Sequence, residues 1–178
     1  MKTKIDLIAL AFTMLFFSAC EEVEELTIFH VNDTFVVEAA VNIPEDPDGN
    51  SQNFEYSSEI NIRENSDIDN YFGDIQYLTI NSLNLSISDF IANQNVIAED
   101  VVVTIGDVII PLGDIDLAAY SATDEVIQVG NSQQLSQIAE QLLNSASVTV
   151  GFVGTVNETP VSFTGTLSMS IRVTVNII

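Results

Sequence analysis

The side chains able to do chemistry are few and unevenly placed. There is one cysteine, Cys20, one histidine, His30, and four cations in all against 26 carboxylates. A lone cysteine permits no disulfide within the chain. No lysine follows Lys4, so a Schiff-base lysine and a Ser-Lys pair are both missing beyond the first few residues. His30, in Ile28-Phe29-His30-Val31, is the sole base available to a serine triad, and its neighbours read as those of an ordinary strand residue. One histidine cannot assemble a zinc site of the Cys/His kind. The chain also has no Gly-x-Gly-x-x-Gly and no phosphate loop. The inventory predicts a protein that is not an enzyme.

Carboxylates remain. In Pro44-Glu45-Asp46-Pro47-Asp48-Gly49-Asn50-Ser51-Gln52 the residues Asp46, Asp48 and Asn50 alternate. Calcium takes about six to eight oxygens, which closely spaced Asp and Asn can begin to supply. The stretch resembles the start of an EF-hand loop. It departs from one in having Gly49 at the fourth place and Ser57 where the closing Glu belongs, and it lacks flanking helices. Asp46, Asp48 and Asn50 are therefore the candidate calcium ligands, and the competing reading is a Pro-Asp-Gly-Asn turn that needs no metal. Asp67-Ile68-Asp69 and Asp114-Ile115-Asp116 are common spacings. With so many acids some glycosidase-like pair is unavoidable, so a pair has no diagnostic value. A glycan platform would have to use Tyr56, Tyr71, Tyr77 or Tyr120, because tryptophan is absent.

The N-terminus has the layout of an export signal. Lys2 and Lys4 precede the apolar run Leu7 to Phe17, in which Thr13 is the polar residue, and the run ends at Ser18-Ala19-Cys20. It is shorter than the roughly 20 apolar residues that span a bilayer core. Phe17-Ser18-Ala19-Cys20 resembles a bacterial lipobox, with Phe17 in place of the usual Leu. The Glu21-Glu22-Val23-Glu24-Glu25 that follows resembles the acidic surface-export tag of Bacteroidota-type lipoproteins. These resemblances imply cleavage before Cys20, acylation of its thiol, and a place on the outer membrane at the cell surface. A solvated spacer is the plainer reading of the acidic run. The expected organisation is a signal peptide over 1–19, a lipidated acidic linker over 20–26 and one domain over 27–178.

Charge narrows the partners. The net charge is −22, and once the leader is set aside Arg63 and Arg172 are the remaining cations. Such a field repels nucleic acid and anionic lipid. The membrane is then reached through lipidated Cys20, since two or more acyl chains anchor stably. The remaining expected partner is a protein of the envelope or cell surface.

The elements that must carry these residues are mostly strands. Apolar residues make up 47% of the chain and alternate with polar ones, which sets the chain apart from a disordered acidic tail. From Val161 to Ile177 the odd positions are apolar or Gly165, a period of two that predicts one long strand. Val148 to Val156 alternates in the same way, and Asn157-Glu158-Thr159-Pro160 reads as the turn between them. Pairing Val156 with Val161 would set Phe152 opposite Gly165 and Gly154 opposite Phe163, each ring covering a glycine. A second hairpin is expected between Phe35–Ile43 and Phe54–Ile62, with Ile43 opposite Phe54. Leu78 to Ile87 predicts a strand with a bulge at Asn81-Ser82, and shorter strands are expected at 100–105, 108–110 and 126–129. Asn131 or Ser132 can cap a helix, Gln134 lies three after Asn131, and Leu135, Ile138, Ala139, Leu142 and Leu143 form one apolar stripe, predicting a helix over 132–144. A short turn is expected over 66–72. The sum is an antiparallel β-sandwich with one amphipathic helix, or else a small barrel. The function read from it is a membrane-anchored, non-enzymatic surface lipoprotein with a structural, adhesion or assembly role; the alternative is a calcium- or glycan-binding accessory module.

Overall fold

The computed structural model describes residues 28–123 and 125–177. Eight strands form two four-stranded sheets. They are β1 (Ile28–Ile43), β2 (Gln52–Asn61), β3 (Ile75–Ala92), β4 (Ile97–Ile105), β5 (Val108–Asp116), β6 (Val126–Gln128), β7 (Ser147–Val156) and β8 (Val161–Asn176). The first sheet has the order β1-β8-β3-β6 and the second β2-β7-β4-β5, and every pairing is antiparallel. No ladder joins the two sheets, so the molecule is a sandwich and the barrel does not form.

The alternation seen in the sequence decides which side of each strand is buried. In β8, Val161, Phe163, Leu167, Met169, Ile171, Val173 and Val175 are buried, and the Ser and Thr residues between them face out. In β1, Val37, Ala39, Val41 and Ile43 are buried, opposite Leu167, Gly165, Phe163 and Val161 in register. Phe163 sits between the sheets, its ring edge-on to Phe54 at 5.6 Å and to Phe152 at 6.5 Å between centroids. Offset and edge-to-face rings of this kind add to the stabilisation from buried area.

Two expected hairpins are corrected. β7 pairs with β2 and β4, and β8 pairs with β1 and β3, so the Asn157–Pro160 turn crosses from one sheet to the other. Likewise β1 and β2 lie in different sheets. The reason is physical: two strands joined in one sheet put their apolar faces on the same side, where a further layer must cover them, whereas splitting the strands between sheets turns those faces toward each other. The predicted meeting of Phe152 and Gly165 nevertheless occurs, across the sandwich. A Cβ placed on Gly165 would lie 3.1 Å from Phe152 Cε1. Gly154 is covered by Phe54, its register partner on β2, and not by Phe163.

The bulge in β3 lies where the sequence puts it, as a register shift between Ile80 and Ser82. Beyond it, β6 pairs with β3 at Asn84, Leu85 and Ser86, leaving the rest of that edge of β3 without a strand. Helices flank it. α1 (Ser66–Asn70) is capped by Asn65 Oδ1, which accepts from the amides of Asp67 and Ile68. α2 (Leu117–Thr123) packs on β3 and β5, and has no counterpart among the predicted elements. α3 (Ser132–Ser145) packs on β3, β5 and β7. Of the two expected caps, Asn131 and Ser132, it is Asn131 that caps the helix, in a capping box: Asn131 accepts from the amides of Gln133 and Gln134, and Gln134 Oε1 accepts from the amide of Asn131. Ile138, Ala139 and Leu142 bury its inner face.

Replacing Phe163 with Ala removes the ring on which both sheets close and leaves a cavity. The expected loss is about 3–5 kcal/mol, read as a lower urea midpoint at unchanged slope.

Candidate functional site

The strand directions sort the loops into two ends. Ile28 pairs with Asn176, so the chain enters β1 where it leaves β8. The same end holds the residues 62–74 and the β4–β5 turn. The opposite end holds the β1–β2 loop, the β3–β4 loop and the β7–β8 turn. Cys20 and Glu21 to Glu25 lie outside the described residues, eight or fewer positions before Ile28.

The calcium candidates fall in the β1–β2 loop, where Asp46 organises a turn. Its carboxylate accepts from the amides of Asp48 at 3.1 Å and Asn50 at 3.0 Å, and from Gln52 Nε2 at 3.0 Å. The Asp46 carbonyl accepts from the amide of Gly49 at 3.0 Å, and Gly49 takes a positive φ of 67°, the conformation glycine adopts without strain. The Asp46 amide donates to Thr159 Oγ1 at 2.9 Å, tying this loop to the β7–β8 turn. Asn157 ties the same turn to β4 by exchanging hydrogen bonds with Ile97. The amide donors, that of Asp48 first, hold the Asp46 carboxyl below its ordinary value. Asp46, Asp48 and Asn50 are thus brought together, but two of them meet Asp46 through their amides, and the acceptor oxygens of Asp46 are already engaged. Among the described residues no group of three or more His, Cys, Asp or Glu side chains is placed to hold a metal ion.

The other acidic pairs are also used locally. Asp69 forms an ion pair with Arg63 at 2.5 Å, both side chains about half exposed, and such surface pairs contribute little. Asp114 Oδ1 accepts from the amide of Asp100, which stands in a β4 bulge with φ 50°. Asp116 Oδ1 accepts from the amide of Ala119 at the start of α2.

His30 lies exposed on β1 and shares a 3.0 Å hydrogen bond with the Thr174 hydroxyl. A hydroxyl against an imidazole is half of a nucleophile–base arrangement. Here the ring stands on an open groove that Asp67 and Tyr71 also line, and no carboxylate among the described residues pairs with it. The pairing serves the β1–β8 ladder, in which His30 and Thr174 are opposite.

One site emerges that the sequence does not reveal. α3 stands off the strandless edge of β3 and leaves a cleft of about 380 Å³. β3 contributes Leu78, Thr79, Ile80 and Asn81, and α3 contributes Ser132, Leu135, Ser136 and Ala139. Every lining residue is uncharged. The bulge at Asn81 and the approach of α3 make this cleft, and both depend on tertiary packing. Of the four tyrosines, Tyr56, Tyr71 and Tyr120 pack against the core, whereas Tyr77, on the same strand as the cleft, is 68% exposed.

No family model matches the chain, and no curated protein matches it. Among the solved structures that match is a chain from Desmodium yellow mottle tymovirus, at 10% identity with a TM-score of 0.33, over 83% of this chain and 84% of that one. A likeness at that level bears on neither site nor activity. No helix among the described residues is long and apolar enough to cross a membrane.

The Asp46 turn generates a pH signature. Because the carboxyl is held below 3.8 in the folded state, its contribution is present above that value and is lost as pH falls through the lower folded value. Asp46→Ala is expected to melt below the parent at neutral pH, and the gap between them is expected to shrink as pH falls below 3.8. Millimolar calcium, which would have to displace these donors, is expected to leave the parent's melting temperature unchanged; differential scanning calorimetry reads both.

Proposed function

We propose that this protein is a lipid-anchored envelope lipoprotein, displayed at the cell surface, with a non-enzymatic structural, adhesion or assembly role. The observation that carries the reading is Cys20 itself, at the end of a leader-like run and directly before Glu21-Glu22. The fold supports it through its polarity. β1 begins at Ile28, and β8 ends beside it at Asn176, so an anchor at Cys20 attaches one end of the sandwich. The loops around Asp46, Gln94 and Asn157 then stand at the far end of a 16-residue strand, on the order of 50 Å away at about 3.3 Å per residue. Residues 21–27 reach at most about 25 Å when fully extended, which keeps the domain close to the membrane and clear of it.

The non-enzymatic part of this reading is supported by the residue inventory. His30 is tied to Thr174 on an open face, Asp46, Asp114 and Asp116 serve turns, a bulge and a helix start, and the uncharged cleft beside β3 offers neither acid nor base. Assembly or adhesion asks only for a rigid scaffold and an exposed surface, and the two-sheet core with its helix-covered edge supplies both.

Cys20→Ser is expected to leave the circular dichroism spectrum and melting temperature unchanged and to move the protein from the membrane fraction to the soluble one. Recovery of the variant with the membrane would overturn the anchor. Protease added to intact cells is expected to degrade the protein. Protection until the outer membrane is opened would place it on the inner side.

A further inference from the structure

We infer that the cleft between β3 and α3, with the outer face of the first sheet beside it, binds an uncharged polyhydroxylated chain, that is, a neutral glycan. The inference rests on the adhesion reading and gives it a ligand class.

The first observation is a segregation of charge. The chain carries a net charge of −22, yet its exposed strand acids are denser on one sheet than on the other. On the second sheet, Glu55, Glu59, Glu99 and Asp114 point outward and are exposed. On the first sheet, β8 presents Ser and Thr along its length, with Arg172 opposite Asn32 and Thr79, and the exposed carboxylates of its strands are Glu38 on the edge strand β1 and Asp89 near the far end of β3. Solvation alone would not distinguish the two faces. Next to the cleft, where Tyr77 and Thr79 face Thr174 and Arg172, no strand residue is a carboxylate, as suits a surface that is covered in use, since removing an unpaired carboxylate from water costs several kcal/mol.

The second observation is the make-up of the cleft. Thr79, Asn81, Ser132 and Ser136 bring hydroxyls and an amide to its rim, and Leu78 and Leu135 are among its apolar lining. Each hydroxyl can both donate and accept, and an amide offers two donors and an acceptor. That versatility matches sugar hydroxyls, and apolar walls suit the C–H faces of sugar rings. The β3 edge adds main-chain groups, because Thr79 to Asn81 has β8 on one side and no strand on the other.

The third observation is Tyr77. It precedes Thr79 by two residues on β3 and therefore shares its face of the sheet, and at 68% exposure its ring is open to stacking. A flat amphipathic ring beside a hydroxyl-lined cleft supplies contact area with a polar handle. A second copy of this chain fits less well, since two bodies of the same large negative charge repel. An anionic polymer is repelled in the same way.

The test uses the full chain, purified in neutral detergent, run by affinity electrophoresis through gels containing starch, galactomannan, laminarin or xylan, with alginate as the anionic control. At least one neutral polysaccharide is expected to retard the protein, and alginate is not. Tyr77→Ala is expected to weaken retardation by about tenfold, the contribution of one stacked ring. Ser136→Glu, which places a charge at the exposed rim, is expected to abolish it. Both variants are exposed substitutions expected to keep the parent's melting temperature. The inference is overturned if none of the four polysaccharides retards the protein, or if retardation survives both substitutions. It is also overturned if sedimentation equilibrium finds a dimer that Ser136→Glu dissociates. Binding is read without cells, so its failure leaves the anchor at Cys20 standing, and loss of the anchor leaves this binding face standing.

Discussion

The structure depends on one strand. β8 lies inside the first sheet, bonded on one side to β1 along its full length and on the other to β3. Its inward residues close against the second sheet through Phe163, with Phe54 and Phe152 meeting that ring from β2 and β7. Strand pairing and layer packing therefore converge on the same residues. A side chain lost from this column removes contacts to neighbours in its own sheet and to the facing sheet together, which is why large core deletions are costly in a close-packed interior.

What the sequence makes legible follows from what alternation can encode. A period of two states which residues face inward, so the buried sets Val37 to Ile43, Phe54 to Ile60 and Val161 to Val175 are readable directly. It does not state which strand lies alongside, and a hairpin and a sheet-to-sheet crossing demand the same inward set. The Phe152–Gly165 contact shows how close the two solutions lie: ring and glycine meet either as cross-strand neighbours or as facing layers, and they meet here as facing layers. Local chemistry was more decisive. The capping box at Asn131 and Gln134 fixes the start of α3, and the break at Asn81-Ser82 coincides with the register shift in β3. α2 escapes because Leu-Ala-Ala-Tyr-Ser-Ala-Thr buries only Leu117 deeply and so carries no stripe.

The candidate sites divide along the same line. The Asp46 loop is legible as turn chemistry, since its acceptor and its amide donors lie within a few residues of one another. The cleft is not, because Thr79 and Asn81 meet Ser132 and Ser136 only after a bulge, a short β6 and a helix have been placed in three dimensions. Neither Ser nor Asn in a strand or helix announces a ligand. The charge difference between the two outer faces is likewise invisible until each strand is assigned to its sheet, although every acid that produces it is present in the sequence.

The connectivity has a bearing on how the chain reaches its folded state. With β1 and β8 adjacent and β3 on the far side of β8, the first sheet has no interior until the last strand has been made. The β4–β5 pair is the one hairpin among consecutive strands; the remaining ladders join segments far apart in the chain. Topologies rich in such non-local pairings fold slowly, because loop-closure entropy must be overcome before the contacts that reward it can form. A nascent chain lacking its C-terminal segment therefore has little to fold onto. A chain whose first sheet waits for β8 keeps its strand edges and apolar faces open to other unfolded chains until that strand is available.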